Sequence, residues 1–141
     1  MDAKVVNVDC SKTALERLEA DVGFSEKQSY VLWDAAQDSL HDDFDLVLDK
    51  GTLDALQFAG SDDLISFFQA LRRQQRALYL HWSDDAPEMK MDLLNAAFPS
   101  DDGYRCTFTE EEEDPDQSSS SLFQWTYYRY SVRRTLPSTT T

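Results

Sequence analysis

Three short runs of β-branched and apolar residues each finish in an aspartate, and this repeated strand-to-acid junction narrows the possible folds more than any other feature. The runs are Lys4 to Val8 before Asp9, Ser29 to Trp33 before Asp34, and Phe44 to Leu48 before Asp49. Between the first two, Leu15, Leu18 and Val22 recur at helical spacing from Lys12 to Val22, with Ser11 placed to cap the helix and Gly23 to stop it. Strands alternating with helices predict an α/β fold with a mainly parallel sheet. In an open sheet of that kind the C-terminal ends of the strands share one rim, where ligands bind. Asp9, Asp34 and Asp49 are therefore expected as neighbours along a crevice.

The remaining chain extends the pattern. Ser61-Asp62-Asp63 is a helix start for Leu64 to Gln74, with Leu64, Phe67, Phe68 and Leu71 as an apolar stripe. Ala77 to Trp82 is a fourth strand, and Pro87 opens a helix carrying Met89, Leu93, Leu94, Ala97 and Phe98 up to Pro99. Two late strands, Tyr104 to Thr109 and Leu122 to Val132, form an antiparallel pair at the sheet edge. The aromatic run Phe123, Trp125, Tyr127, Tyr128 and Tyr130 suits two faces of a buried strand better than a base-stacking platform. The acidic and serine-rich stretch over 110–121 is expected as a solvated hairpin insertion, and 135–141 as a disordered tail. At 141 residues the chain suffices for one core, so a single domain over 1–134 is predicted.

Charge excludes some partners. With 27 acidic against 13 basic residues the formal charge is -14, which repels nucleic acid and anionic membranes and favours a basic protein partner, unless it serves solubility alone. Cys10 and Cys106 have no paired spacing, and no secretory segment or membrane-length apolar run is present, so a soluble cytoplasmic protein is expected. His41 and His81 are isolated and no metal site is expected. The sequence also lacks a Gly-x-Ser-x-Gly elbow and a phosphate-binding glycine loop.

An acid at the end of a strand suits a nucleoside. Asp9 can accept both hydroxyl protons of a ribose, and Asp34, further along the rim, an exocyclic adenine amine. The competing reading is that each aspartate only caps the helix that follows. Two segments decide between them by their wording: Val6-Asn7-Val8-Asp9-Cys10-Ser11, and Phe44-Asp45-Leu46-Val47-Leu48-Asp49-Lys50-Gly51-Thr52-Leu53-Asp54-Ala55-Leu56. These resemble the class I S-adenosylmethionine-dependent methyltransferases, and within them the methyltransferase-like 13 family that methylates translation elongation factor 1-alpha on lysine or the N-terminus. The resemblance covers Val5 to Leu56; beyond Asp62 only the order of elements is similar.

The resemblance implies a Rossmann-like three-layer sandwich with S-adenosylmethionine as cofactor. It implies that Asp9, with Cys10 and Ser11, holds the ribose, that Asp34 and Ala35 flank the adenine, and that Asp49, Lys50 and Gly51 line the methionine side. Thr52 and Leu53 would face the acceptor, a protein amine on a basic substrate such as a translation factor. Asp49 would orient that amine, or else cap the following helix. One departure stands out: Gly23, Gly51, Gly60 and Gly103 are all isolated, so the glycine-rich turn that ends the family's first strand has no counterpart. That strand is central in the family's order 3-2-1-4-5-7-6. The expectation is a domain lacking its first strand, truncated and weakly active or inactive alone. The alternative is a non-catalytic, degenerate methyltransferase serving as an acidic interaction module.

Overall fold

A computed structural model describes residues 3–23, 25–40, 42–112 and 126–135. The chain forms two compact units, Met1–Ser39 and Leu40–Thr141. The strands explain the division: β1 (Val5–Asp9) pairs with β2 (Gln28–Leu32) in one sheet, while the later strands form another.

In the first unit, β1 and β2 are parallel from Val5 opposite Gln28 to Asp9 opposite Leu32. The crossover is α1 (Lys12–Val22), whose bounds are those the spacing predicts. Ser11 Oγ accepts the Ala14 N–H at 3.2 Å, and Gly23 donates its N–H to the Glu19 carbonyl at 2.9 Å. Of the predicted stripe, Leu15 is buried, whereas Leu18 and Val22 are exposed.

The second unit contains β3 (Leu46–Lys50), α2 (Thr52–Ala59), α3 (Ser61–Arg73), β4 (Leu78–Ser83), α4 (Pro87–Ala97), a short 3₁₀ turn at Ser100–Asp102, β5 (Tyr104–Glu112) and β6 (Thr126–Arg134). The sheet order is β3-β4-β6-β5, with β3 and β4 parallel and β6 antiparallel to both of its neighbours. Phe67, Phe68 and Leu71 of α3 pack with Leu94 and Phe98 to make the core with Tyr79, Tyr130 and Val132 of the sheet. The rings of Phe68 and Phe98 meet edge-on at 5.5 Å, the arrangement aromatic quadrupoles favour. No helix among the described residues is long and apolar enough to cross a membrane.

Several elements differ from the sequence-based expectation for identifiable reasons. β3 runs two residues further than expected, so Asp49 lies inside the strand, where neighbouring donors satisfy its carboxylate. Ser61, Asp62 and Asp63 do not cap α3; they form its first turn, with Gly60 at the cap position, and the two acids face the positive end of the helix dipole. Glu110, Glu111 and Glu112, assigned to the hairpin insertion, are strand residues of β5. Glu111 is held there by Arg129 at 3.0 Å and by the Trp82 indole N–H at 3.0 Å. The rest of the proposed insertion, the start of the predicted last strand with Phe123 and Trp125, and positions 136–141 of the tail lie outside the described residues.

Candidate functional site

Asp9 and Asp34 occupy one edge of the first unit. Because β1 and β2 are parallel, both leave the sheet on the same side, and the Trp33 N–H extends the pairing by donating to the Asp9 carbonyl at 3.0 Å. Asp9 is exposed at the end of β1, and its Oδ1 accepts the Ser11 N–H at 2.7 Å. That bond fixes the turn into α1, but the helix cap itself is Ser11, so helix capping is not the task of Asp9. Cys10, between them, is an exposed free thiol.

Asp34 sits two residues beyond β2 and organises its own turn. Its Oδ1 accepts the Ala36 N–H at 2.9 Å, and its N–H donates to Asp38 Oδ2 at 2.7 Å. Its carbonyl accepts from Gln37 and Asp38. Ala35 is buried beneath this turn. Each of the two carboxylates thus has an oxygen tied to nearby backbone and retains further acceptor capacity. They are rigidly mounted acceptors suited to hydroxyl and amine donors.

Asp49, in the second unit, has a different environment. Its Oδ1 accepts the Thr52 N–H at 2.8 Å, and its Oδ2 accepts the Leu53 N–H at 3.1 Å and the Tyr79 hydroxyl at 2.7 Å. The carboxylate therefore caps α2 from inside the preceding strand. Gly51 makes this possible: with φ at 90° it takes a left-handed turn that residues with a Cβ adopt only at a cost. Strand alternation sends Lys50 to the exposed side while Asp49 is buried.

His81, fully buried on β4 opposite Asp49, links this carboxylate to a second group of charges that sequence reasoning missed. Its Nδ1 lies 3.1 Å from Asp49 Oδ2, in ion-pair range but without hydrogen-bond alignment. Its Nε2 lies 3.1 Å from Asp54 Oδ1. The same Asp54 oxygen accepts from Ser83 Oγ at 2.9 Å and from Lys90 Nζ at 2.6 Å. Lys90 also pairs with Asp85 at 2.8 Å and donates to Gln57. Tyr79, His81 and Tyr130 stack across the sheet at 6.3 and 6.1 Å. Four elements, β3, α2, β4 and α4, are thereby joined through one chain of buried and part-buried polar groups.

The signal for Lys90 was present in its spacing. Lys90, Leu94 and Ala97 fall at i, i+4 and i+7, so they share a helix face. Met89, assigned to that face for its apolarity, is 74% exposed, while Lys90 is 0% exposed.

Burial, the largest influence on the Asp49 carboxyl, would push it up. The His81 contact, the Tyr79 hydroxyl and the Thr52 N–H together outweigh it and hold the group below its ordinary 3.8. Across that window the unfolded chain binds the proton more readily than the folded one, so Asp49 stabilises the fold above pH 3.8, and this contribution is lost as pH falls further. Urea midpoints measured over the acid range should drop with pH in the native chain, and Asp49→Asn should flatten that drop. An unchanged slope in the variant would refute the assignment. Burial also pushes the Cys106 thiol to about 11, which leaves it an unreactive thiol at neutral pH.

Neither a family model nor a curated protein matches the sequence. Solved structures do match in fold. The methyltransferase domain of bacterial CtHen1 superposes with a TM-score of 0.66 at 15% identity, over 94% of this chain and 78% of that one. N-methyltransferase NodS from Bradyrhizobium japonicum gives 0.64 at 10% identity, over 94% and 74% of the two chains. Its complex with S-adenosyl-L-homocysteine gives 0.61 at 11% identity, over 91% and 66%. The orders β2-β1 and β3-β4-β6-β5 of the two sheets match the segments 3-2 and 4-5-7-6 of the order that the family resemblance implies, and the fold of this chain is that of Rossmann-like methyltransferase domains.

Proposed function

We propose that the chain is an S-adenosylmethionine-dependent methyltransferase whose first unit holds the adenosyl part of the cofactor. The observation that carries this reading is the placement of Asp9 at the end of β1 and of Asp34 two residues past the end of the parallel strand β2. Asp9, with Cys10 and Ser11 in the same turn, receives the ribose hydroxyls; Asp34 and Ala35 flank the adenine. Charge-assisted bonds from hydroxyls to a fixed carboxylate suit this task, because Asp9 is already oriented by the Ser11 N–H. When bound, the cofactor supplies a methyl group on a positively charged sulfur, so no protein nucleophile is required. The chain's own work is orientation and exclusion of water around the acceptor.

Asp49, Lys50 and Gly51 are assigned to the methionine side of the cofactor, and Thr52 with Leu53 to the acceptor. Asp49 acts there as a positioning residue, since its oxygens hold the Thr52 and Leu53 N–H groups. The acceptor is a protein amine, a lysine or an N-terminus, on a basic substrate in the cytoplasm; a translation factor is the example set by the family the sequence resembles. The formal charge of -14 supports a basic substrate through long-range attraction.

Calorimetry on the 141-residue chain tests the adenosyl assignment. Asp9→Ala should weaken both S-adenosylhomocysteine and adenosine by about tenfold or more, the worth of a hydrogen bond to a charged group. Adenine alone should be unaffected. As the isolated glycines offer no cradle for the methionine part, the two nucleosides should bind with similar, weak affinity. Failure of both to bind, or indifference to Asp9→Ala, would overturn the proposal.

A second reading, a non-catalytic acidic docking module, draws on that same charge. It requires capture of a basic protein that weakens with salt and persists in Asp9→Ala.

A further inference from the structure

Strand alternation gives the sheet of the second unit two chemically distinct faces. Tyr79, His81, Tyr130 and Val132 are buried on one, which assigns Leu78, Leu80, Arg105, Thr107, Ser131 and Arg133 to the other. The register arranges these in two rows. Tyr79 is opposite Val132, so Leu78 adjoins Arg133, and Arg133 is paired with Arg105. One row on, Leu80, Ser131 and Thr107 stand side by side. A cavity of about 530 Å³ opens here, lined by Leu78, Arg105, Thr107, Ser131, Arg133 and Arg134.

The two arginines are set directly opposite each other across an antiparallel pair, where like charges cost stability. Arg72 and Arg129 have the carboxylates of Asp102 and Glu111; among the described residues, Arg105 and Arg133 have no such partner. Arg105 and Arg133 are both exposed and face one cavity, so in a chain with twice as many acids as bases they form a local positive site that a small anion can reach. Thr107 Oγ1 and Ser131 Oγ share one hydrogen bond of 2.6 Å, which leaves one hydroxyl proton of the pair to donate.

We propose that this cavity binds a small phosphorylated molecule, its phosphate monoester held between Arg105 and Arg133 and by the Thr107–Ser131 hydroxyl pair. Two guanidiniums match the charge of a phosphate monoester, about -1.5 to -2 at neutral pH, whereas a carboxylate would neutralise only one. The planar fork of each guanidinium suits two phosphate oxygens at once. The volume lies within the range of small-molecule sites, leaving room for an organic group against Leu78. A long nucleic acid would have to lie along acidic surface, while a small ligand responds mainly to charges within a screening length of about 8 Å.

The site is independent of the methyl-transfer reading. Leu78 begins β4 and Ser83 ends it, so the cavity lies roughly 17 Å from the C-terminal end of that strand.

Inorganic phosphate and phenyl phosphate, titrated into the full chain at constant ionic strength, test the proposal, with benzoate and chloride as controls. Phenyl phosphate is expected to raise the melting temperature, to shift the backbone amide resonances of Arg105, Thr107, Ser131 and Arg133, and to bind more tightly than inorganic phosphate. Arg105→Gln or Arg133→Gln should each weaken phenyl phosphate by about tenfold or more. In the absence of phosphate each variant should melt at the native temperature or above it, because a like-charge pair has been relieved. That separates a lost site from a lost fold. Equal binding of benzoate, preference for inorganic phosphate or for an RNA oligonucleotide, retained affinity in the variants, or no response of the native chain would each overturn it.

Discussion

Lys90→Met should destabilise the protein by about 3 kcal/mol, the lower end of what is lost when one partner of a buried ion pair is removed. The side chain of Lys90 is completely buried and contacts Asp54, Asp85 and Gln57. Methionine preserves most of the stem's volume, so the loss comes from stranding two carboxylates rather than from a void. The value falls at the lower end because Asp85, at 42% side-chain exposure, can recover water. For a chain of this size, the corresponding fall in melting temperature is about 10 °C. Adding Asp54→Asn should recover part of the loss, since the amide can still accept from Ser83 without an unpaired charge. A denaturant melt within about 0.5 kcal/mol of the native chain for Lys90→Met would show that the network is not structural.

Asp49→Ala has the second large effect. Truncation removes the cap from the Thr52 and Leu53 N–H groups, worth about 1 kcal/mol. It also leaves the Tyr79 hydroxyl, buried and bonded to Asp49 at 2.7 Å, without its acceptor, for about 1 to 3 kcal/mol more. The sum is about 2 to 4 kcal/mol, measured by urea denaturation. Asp49→Asn should cost less, because an amide oxygen still accepts one or two of these donors. If the alanine variant kept its stability yet lost methyl transfer, Asp49 would touch the acceptor rather than position the turn.

Local signals in the sequence were strong where one residue type decides the outcome. Ser11 and Gly23 bound α1 at both ends, and the C-terminal pair was legible as antiparallel from two β-rich runs separated by a polar, hairpin-like stretch of sequence. Charge inside a core was harder to see. Asp49 was legible as the end of a strand but not as a residue within it, because the two extra positions of β3 depend on partners 30 and 32 residues away, Tyr79 and His81. Lys90 fell on the buried stripe of α4 by spacing, yet hydrophobicity favoured Met89; only the tertiary placement of Asp54, Asp85 and Gln57 makes a buried lysine tolerable. Arg105 and Arg133 were illegible as a pair because 28 residues separate them and only the β5–β6 register sets them opposite each other.

Gly60 closes α2 and opens α3, with φ at 152° and nothing within 4 Å of where a Cβ would stand. The limit at this corner is therefore backbone torsion and not crowding. An alanine would fit the space yet resist the angle, and its easiest escape is toward helical torsions that fuse the two segments into one rod of about 33 Å. The bend that lets Leu53 and Leu56 of one helix and Phe67 and Leu71 of the next enter the same core thus hangs on the missing side chain of a single residue.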